Sequence, residues 1–502
     1  MKNLVLGFMT MLAVQNVFAD KIVMLEGTKE SIEARKDLVS SADSEIRAQY
    51  YTIENDEVAN GGLAILRDLA IKKPNTRIRI IVDSLNNSML RETMAAFLSD
   101  DQGEPLKNIE IREYNTFKWY APWRYTKRMH DKALIVDNDV LISGGRNIAN
   151  GYFGLKDKDQ PTHSVLEDTD ILVMESPAVN EAATYFDNLW NSKFVKAVKL
   201  GDFSISRLKP GACETKRHQS LDKPNRNEYE SCEYFRKRNI QLVGKQRAEL
   251  IRLAVAHKTN ITKTEATAKW STNKSVMEVG SIDYIFDNPV GQKSSLKKPE
   301  AVEDNIAKQL YQAIRTAQQS VVIVTPYLVV TPEQEELFKE LRARKVKVRI
   351  FTNGVNSNDV PVAHVGYLNT RKLALKYGVQ IWEYNGPDTL HAKMVLIDRN
   401  KMFIGSFNWD FRSQNLNREV GVIATLAENS TIKVDETDVF AKIARIYERS
   451  TRLGNKKHLN DDIGDDGEFD DDDISNLSKE IRSGNKNILF WQIIYPLIKK
   501  QL

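Results

Sequence analysis

Two copies of one short motif, His-x-Lys-x4-Asp, hold the side chains of this sequence that are best suited to catalysis. A glycine follows each copy at a fixed distance, and an asparagine follows the glycine. The first copy comprises His130, Lys132, Asp137, Gly144 and Asn147, and the second comprises His391, Lys393, Asp398, Gly405 and Asn408. The matched spacing predicts one active site that is assembled from two similar halves.

These residue types are suited to cleaving or exchanging a phosphodiester. Cations and amide N–H groups stabilise the charge on the nonbridging oxygens in the transition state. Lys132 and Lys393 supply the cations. The predicted phosphate-binding residues are Asn147, Asn408, Ser406 and Gly145.

The two histidines are expected to have different catalytic roles, one as nucleophile and the other as general acid and base. In-line displacement places the nucleophile and the leaving oxygen on opposite sides of phosphorus, so one imidazole cannot easily serve both. We therefore expect one of His130 and His391 to attack and form a phosphohistidine, while the other protonates the leaving alcohol. The sequence has no Cys-x-x-Cys or His-Glu-x-x-His motif, so neither a metal nor another cofactor is predicted.

Each half also offers a carboxylate that could orient an imidazole through its second nitrogen. The candidates are Asp170 and Glu419, with Asp168 as the alternative to Asp170; any of them could instead be a charge at a strand edge. Asp137 and Asp398 fall on the face of their strand opposite to the histidine and lysine. These two are expected to be structural and to order the turn after the strand.

The order strand-helix-strand-helix-strand precedes both copies of the motif, which indicates a large internal repeat. Strands that alternate with helices predict an α/β fold with a mixed, mainly parallel sheet flanked by helices. The two repeats are placed at residues 28–200 and 301–455. Residues 201–300 fit no such pattern and are a connector or an inserted subdomain.

Composition and the chain ends limit the classes of protein. The chain has 502 residues, 41% of them hydrophobic, and a net charge of +4, which is ordinary for a globular protein and disfavours a general nuclease. Residues 1–19 resemble an export signal that is cut after Ala19, with an uncleaved anchor as the alternative. In an exported protein, Cys213 and Cys232 could form one local disulfide or remain free thiols.

Two segments near the C-terminus have unusual compositions. Residues 456–487 include an acidic run that is typical of a disordered linker, with calcium binding as the other interpretation. Residues 488–502 are apolar and aromatic and end in lysines. This tail suits either the interface of a membrane or packing on the body of the protein.

The motifs resemble those of the phospholipase D superfamily, whose HKD signature matches twice. Flanking segments, among them Ala48–Tyr51, Thr325–Tyr327 and Asn358–Pro361, resemble the bacterial cardiolipin synthase branch. The resemblance covers most of residues 44–450. It implies two pseudo-symmetric lobes, an active site at the lobe interface, a covalent phosphohistidine and phosphatidyl transfer between lipids. In that family the first histidine attacks, which assigns His130 as nucleophile and His391 as acid and base.

The motifs alone do not choose between lipid and nucleic acid. Residues 118–125 mix aromatic and cationic side chains, which suits lipid phosphates, stacking on single-stranded bases, or a packed loop. We predict a monomeric, exported (periplasmic or secreted), membrane-associated phosphatidyltransferase that binds phospholipids and needs no nucleic acid. Hydrolysis to phosphatidic acid, a metal-independent nuclease and an inactive binding module remain the alternatives.

Overall fold

The structure is a computed structural model that describes most of the chain. The described residues are 20–117, 119–120, 125–156, 165–210, 212–213, 226–273, 276–289, 305–427 and 438–452. The predicted export signal (1–19), the acidic segment (456–487) and the apolar tail (488–502) lie outside them. So do five residues of the aromatic segment, 118 and 121–124.

Sixteen of the strands in this part of the chain form one sheet, and two more form a separate pair. The strands are β1 (Asp20–Leu25), β2 (Glu45–Tyr50), β3 (Arg77–Asp83), β4 (Ile109–Tyr114), β5 (Lys132–Val136), β6 (Val140–Gly144), β7 (Leu166–Glu167), β8 (Asp170–Met174), β9 (Val195–Ala197), β10 (Val276–Phe286), β11 (Ser320–Val324), β12 (Lys347–Asn353), β13 (Gln380–Tyr384), β14 (Thr389–Leu390), β15 (Met394–Ile397), β16 (Lys401–Gly405), β17 (Val420–Leu426) and β18 (Ser450–Arg452).

The helices of the described residues lie on both faces of this sheet. They are α1 (Thr28–Ser41), α2 (Glu57–Lys72), α3 (Arg91–Phe97), α4 (Pro177–Trp190), α5 (Ile205–Leu208), α6 (Arg226–Ala256), α7 (Lys263–Ser271), α8 (Ile306–Arg315), α9 (Pro332–Ala343), α10 (Pro361–Leu375), α11 (Phe411–Asn415) and α12 (Asp438–Glu448). None of them is both long and apolar enough to cross a bilayer.

The strand order of the large sheet reads the same from both edges. It runs β18-β13-β12-β11-β15-β16-β17-β10 and continues as β1-β8-β6-β5-β2-β3-β4-β9. Each strand of the N-terminal half therefore has a counterpart at the mirrored place in the C-terminal half, with β1 and β10 paired at the centre. This arrangement agrees with the two predicted pseudo-symmetric lobes.

The prediction of a mainly parallel sheet is wrong. Parallel pairing is confined to β2-β3-β4 in one lobe and β11-β12-β13 in the other. All other neighbours in the large sheet are antiparallel, because after each motif the chain turns back through short hairpins such as β5–β6 and β15–β16. The strand-helix alternation identified only the parallel flank of each lobe.

The region that the sequence left unassigned belongs to the body of the protein. Helix α6 packs on α2 and α3, and α7 packs on α1. Strand β10 pairs with β1 and β17, so this strand joins the two lobes. Strand β1 precedes the predicted start of the first lobe at residue 28. The disulfide between Cys213 and Cys232 is formed and ties the segment after α5 to α6.

Asp137 and Asp398 accept hydrogen bonds from the entry to a neighbouring strand, and not from the turn after the motif strand that was predicted. The Asp137 carboxylate accepts the backbone N–H groups of residues 43–45, at the entry to β2, at 2.8–2.9 Å. Asp398 accepts those of residues 318–320, at the entry to β11, at 2.6–2.9 Å. Each aspartate thus fixes the neighbouring strand beside the motif strand.

Replacing Asp137 with alanine is expected to lower the free energy of unfolding by about 3 kcal/mol, because three amide donors lose an ionised acceptor. Burial alone would raise the pKa of Asp137, but these donors hold it below its usual value near 3.8. The stabilisation is therefore present above about pH 4 and is lost as the pH falls through the lower folded pKa. Urea unfolding at a series of pH values measures this effect. A difference from wild type that stays constant down to about pH 2 would contradict the explanation.

Candidate active site

The two histidine segments lie at the lobe interface, and each pairs with a segment of the opposite lobe. The backbone N–H of His130 donates to the carbonyl oxygen of Arg418 at 2.9 Å. The N–H of His391 donates to the carbonyl oxygen of Glu167 at 2.8 Å, next to the short parallel pair of β7 and β14. The residues that follow Arg418 and Glu167 in the chain, Glu419 and Asp168, therefore lie beside the histidine of the other lobe.

His130 is oriented by the carboxylate of Glu419. Its Nδ1 lies 2.9 Å from Glu419 Oε2 and 3.1 Å from the carbonyl oxygen of Ser406. Because both neighbours are hydrogen-bond acceptors, Nδ1 carries the proton, and the lone pair is on Nε2. Burial lowers the pKa of His130 to about 4, although Glu419 opposes this shift.

Glu419 is an ionised, fully buried carboxylate. Burial alone would raise its pKa, but His130, Lys132 and the Ser406 hydroxyl hold the pKa at about 2. The Ser406 and Ser413 hydroxyls donate to its two oxygens at 2.5 and 2.7 Å. These contacts fix the carboxylate and, through it, the plane of the His130 imidazole.

His391 is oriented in the same way by Asp168. Its Nδ1 lies 2.5 Å from Asp168 Oδ2. Burial would raise the pKa of Asp168, but the cationic side chains around it, Lys393 first among them, keep it well below its usual value. Burial and the neighbouring Lys393 also lower the pKa of His391.

The two lysines lie beside the histidines that open their motifs. Lys132 Nζ donates to the backbone oxygen of His130 at 2.7 Å. Lys393 Nζ donates to the backbone oxygen of His391 at 2.5 Å and lies 2.8 Å from its Nδ1 and 3.2 Å from its Nε2. Both side chains are buried, and burial lowers their pKa values, to about 7 for Lys132 and to about 8 for Lys393.

Comparison with known proteins gives one family for this arrangement. Residues 36–190 and 310–438 match a family model described as cardiolipin synthase, PLD-like domain. The chain belongs to the phospholipase D superfamily, in its cardiolipin synthase-like branch. One matched segment lies in each lobe, and each segment contains one HKD motif.

Two relatives agree with this assignment, and one solved structure shares the fold. The chain is 26% identical to cardiolipin synthase C of Escherichia coli (strain K12) over 434 residues, which cover 80% of each chain. It is 23% identical to cardiolipin synthase 1 of Bacillus cereus over 402 residues, or 78% of this chain and 60% of that one. The crystal structure of phosphatidylserine synthase from Haemophilus influenzae shares the fold, with a TM-score of 0.58 and 15% identity over 96% of this chain and 97% of that one. The expectation of a phospholipase D-superfamily enzyme is confirmed.

The prediction of Asp170 as a histidine partner is wrong; the alternative, Asp168, occupies that place. Asp170 accepts hydrogen bonds from Arg35 at 2.8 Å and from Arg146 at 3.2 Å, on the face of the sheet that α1 covers. It therefore holds α1 and the loop after β6 in place. In this phospholipase D-like site, each imidazole is paired with a carboxylate of the opposite lobe.

The sheet register explains why Asp168 is the counterpart of Glu419. Gly144 pairs with Asp170 in the N-terminal lobe, and Gly405 pairs with Gly421 in the C-terminal lobe. Counting back two residues from each partner gives Asp168 and Glu419. The spacing from the motif glycine to the carboxylate differs between the halves, so only the strand pairing identifies the equivalent positions.

Gly145 and Ser406 serve the carboxylates, and their predicted role in phosphate binding is not supported. Their backbone N–H groups are already used in the sheet, by the carbonyl oxygens of Thr169 and Val420. A Cβ atom on Gly145 would lie 2.0 Å from Asp168 Oδ1, so glycine makes room for this short carboxylate. Ser406, at the equivalent position, donates its hydroxyl to the longer Glu419 side chain.

The two motif asparagines are buried but differ in their contacts. Asn147 accepts the backbone N–H of Thr52 at 3.2 Å and donates to the Tyr152 hydroxyl at 2.8 Å. The side-chain oxygen of Asn408 has no hydrogen-bond partner among the described residues. A flip of the amide would present N–H at the same position, so Asn408 is the better placed of the two to receive a phosphate oxygen.

Three tyrosines that the sequence reasoning missed surround the imidazoles. Tyr51 meets the His130 ring edge to face at a centroid distance of 4.9 Å, and Lys132 lies over the Tyr51 ring. Tyr152 and Tyr327 lie 5.2 and 6.3 Å from the His391 ring. Two of them, Tyr51 and Tyr327, lie in the flanking segments that carry the resemblance to the family, and this was the available signal.

Changing Asp168 to asparagine is expected to lower kcat by about 100-fold or more, because an amide does not stabilise the His391 imidazolium. The matched change, Asp170→Asn, is expected to reduce stability by about 3 kcal/mol through loss of its buried ion pairs, with kcat retained within about tenfold. Steady-state kinetics and urea unfolding of both variants test this assignment. A larger kcat loss in Asp170→Asn would reverse it.

Gly145→Ala is expected to abolish most activity without touching a predicted catalytic residue. The added methyl group must displace the Asp168 carboxylate, which breaks its contact with His391 Nδ1. We expect kcat to fall at least as far as in Asp168→Asn, with a loss of stability. Combining Gly145→Ala with Asp168→Asn should then cost little further activity, because both changes break the same contact. Additive losses in the double variant would argue against this reasoning.

Proposed function

We propose that the protein transfers a phosphatidyl group from one phospholipid to an alcohol on another lipid, through a covalent phosphohistidine. The observation that carries the proposal is the pair of buried imidazoles at one lobe interface, each held at Nδ1 by a carboxylate of the opposite lobe. The similarity to cardiolipin synthases of two bacteria supports a lipid alcohol as acceptor.

In the first step, Nε2 of His130 attacks the phosphorus of the donor lipid. The P–N bond forms while the bond from phosphorus to the leaving alkoxide breaks, and the leaving oxygen takes a proton from Nε2 of His391. Glu419 stabilises the charge that develops on His130, and Asp168 stabilises the protonated form of His391. Lys132 and Lys393 neutralise the nonbridging oxygens.

In the second step, His391 removes the proton of the incoming alcohol, whose oxygen attacks phosphorus while the P–N bond breaks. His130 returns to its starting state, and His391 holds the proton for the next cycle. If water enters in place of a lipid alcohol, the same step yields phosphatidic acid. Transfer thus depends on keeping water out, which agrees with the burial of His391, whose exposed fraction is 5%.

We also propose that the protein works as an exported monomer at a membrane surface. Support comes from the export signal expected in residues 1–19 and from the exposed aromatic residues Phe117, Trp119 and Tyr120, which are 60%, 83% and 59% exposed. Aromatic side chains of this kind favour the interfacial region of a bilayer. They lie in the segment that leads to His130, so membrane contact would bring the site close to its substrate.

The test is to incubate the purified protein with vesicles of phosphatidylglycerol and phosphatidylethanolamine, and in parallel with single-stranded DNA, without added metal. Formation of cardiolipin is the expected result, and phosphatidic acid as the main product would identify a hydrolase instead. Shortened DNA with intact lipids would contradict the proposal. An inactive His130→Ala protein is the control for contaminating activity.

A further inference from the structure

A largely apolar cavity of about 220 Å³ lies in the N-terminal lobe, between α1 and α2 on one side and the sheet on the other. Its floor is formed by Ala48, Tyr50, Ile80 and Leu134. Arg35 reaches the wall, but Asp170 neutralises its guanidinium at 2.8 Å. An engineered apolar cavity of about 150 Å³ binds benzene, so this volume accommodates a longer hydrocarbon.

The cavity adjoins the active site through two short segments. In the first segment, Ile148 lines the cavity and directly follows Asn147 in the chain. Phe153 of the same segment also lines the cavity, and it directly follows Tyr152, whose ring lies 5.2 Å from the ring of His391. In the other, Tyr50 lines the cavity and is the cross-strand partner of Lys132. Each of these lining residues is therefore adjacent, along the chain or across the sheet, to a residue of the candidate active site.

The cavity exists because of small side chains in α2. Gly61 and Gly62 are consecutive glycines inside this helix, where glycine is less favourable than alanine by about 1 kcal/mol each. A Cβ atom on Gly62 would meet nothing within 4 Å. These glycines therefore do not stabilise α2. Their contribution is the open volume beside the helix.

In the C-terminal lobe, buried side chains fill the equivalent space. The isolated bridges pair Ile53 with Ile148 in one lobe and Leu328 with Trp409 in the other, which aligns the two lobes. The positions equivalent to Gly62, Leu63 and Ile148 are Leu337, Phe338 and Trp409. These three are buried, and the rings of Phe338 and Trp409 stack at 6.0 Å.

We infer that the N-terminal cavity binds an acyl chain of the phospholipid whose phosphate lies between the histidines. This inference rests on the proposed function. Two of the apolar lining residues, Ile32 and Leu155, are 36% and 38% exposed, which suits a hydrocarbon that enters from a lipid surface, although Lys36, Glu57 and His257 also line the cavity. Among the described residues, Phe338 and Trp409 fill the equivalent position of the C-terminal lobe, so the two lobes differ in the space that they offer an acyl chain there.

The test uses Gly62→Leu, which introduces into the cavity the same side chain that the C-terminal lobe has at the equivalent position, Leu337. Donors with eighteen-carbon and four-carbon chains are compared. The variant is expected to lower kcat/KM for the long-chain phosphatidylglycerol by roughly tenfold to hundredfold and to leave the four-carbon donor within about twofold. Gly244→Leu is the matched control, because Gly244 is also a helical glycine with open space around it, in α6. Equal losses for both donors, or no loss, would overturn the inference.

A binding measurement separates this inference from the proposed reaction. Phosphatidylglycerol with a fluorescent parinaroyl chain is titrated into wild type and Gly62→Leu. Weaker binding by the variant supports the acyl site even if wild type transfers no lipid, in which case only the proposed function fails. Unchanged binding overturns the acyl site whatever the activity. Leu63→Phe, which copies Phe338, narrows the cavity from another position and replaces Gly62→Leu if that variant does not fold.

Discussion

Replacing His130 with glutamine should reduce phosphatidyl transfer by a factor on the order of 10⁴ to 10⁶, because the covalent intermediate can no longer form. Glutamine keeps a polar group of similar reach near Glu419 but has no nucleophilic nitrogen. His391→Gln should cause a loss of the same order with a natural lipid donor, whose alkoxide needs a proton in order to leave. Thermal unfolding of each variant is the control for folding.

A donor with a good leaving group tells the two histidines apart. With a phosphatidyl ester of p-nitrophenol, departure of the phenolate needs no acid, so His391→Gln should still release one equivalent of nitrophenol in a rapid burst and then stop. His130→Gln should show no burst. The phosphoenzyme itself should be recovered from His391→Gln by quenching in alkaline detergent. A burst in His130→Gln, without one in His391→Gln, would exchange the two assignments.

How much of this site the sequence could predict depends on distance along the chain. The two motifs and their repetition are local, and they identified the family, the histidines, the lysines and the asparagines. The pairing of His391 with Asp168 joins residues 223 positions apart through the register of β6 and β8. The periodicity of the sequence does not predict how β6 pairs with β8, so the choice between Asp168 and Asp170 required the structure.

The fold was predictable to a similar extent. Strands followed by helices were recognised, whereas β10 was missed because polar and apolar residues alternate in it within a charged region. Its inner residues, Met277, Val279 and Tyr284, are nonetheless buried in the core that spans both lobes. Strand β1 was missed because it directly follows the predicted export signal. Both omissions concern the two strands at which the lobes meet, where pairing partners come from distant parts of the chain.

Removing one cation from the candidate active site should also have a large effect. Lys132→Met and Lys393→Met are each expected to lower kcat by about 100- to 1000-fold, because methionine keeps much of the side-chain volume and loses the charge that stabilises the transition state. Lys269→Met is the control, since this lysine makes a 2.6 Å ion pair with Asp37 on α1. Its removal should change stability and leave kcat within about twofold.

The depressed pKa values of these lysines predict the pH dependence of the wild-type enzyme. Burial, which strips water from the ammonium groups, lowers the pKa of Lys132 to about 7 and that of Lys393 to about 8. As the pH rises through this window the free enzyme loses its cations, so kcat/KM should fall on the alkaline side. A bound phosphodiester anion restores the pKa of each lysine, so kcat should decline only at higher pH. A kcat/KM that stays level from about pH 7 to about pH 10 would show that the lysines remain charged in the free site and that solvent reaches them more freely than their burial indicates.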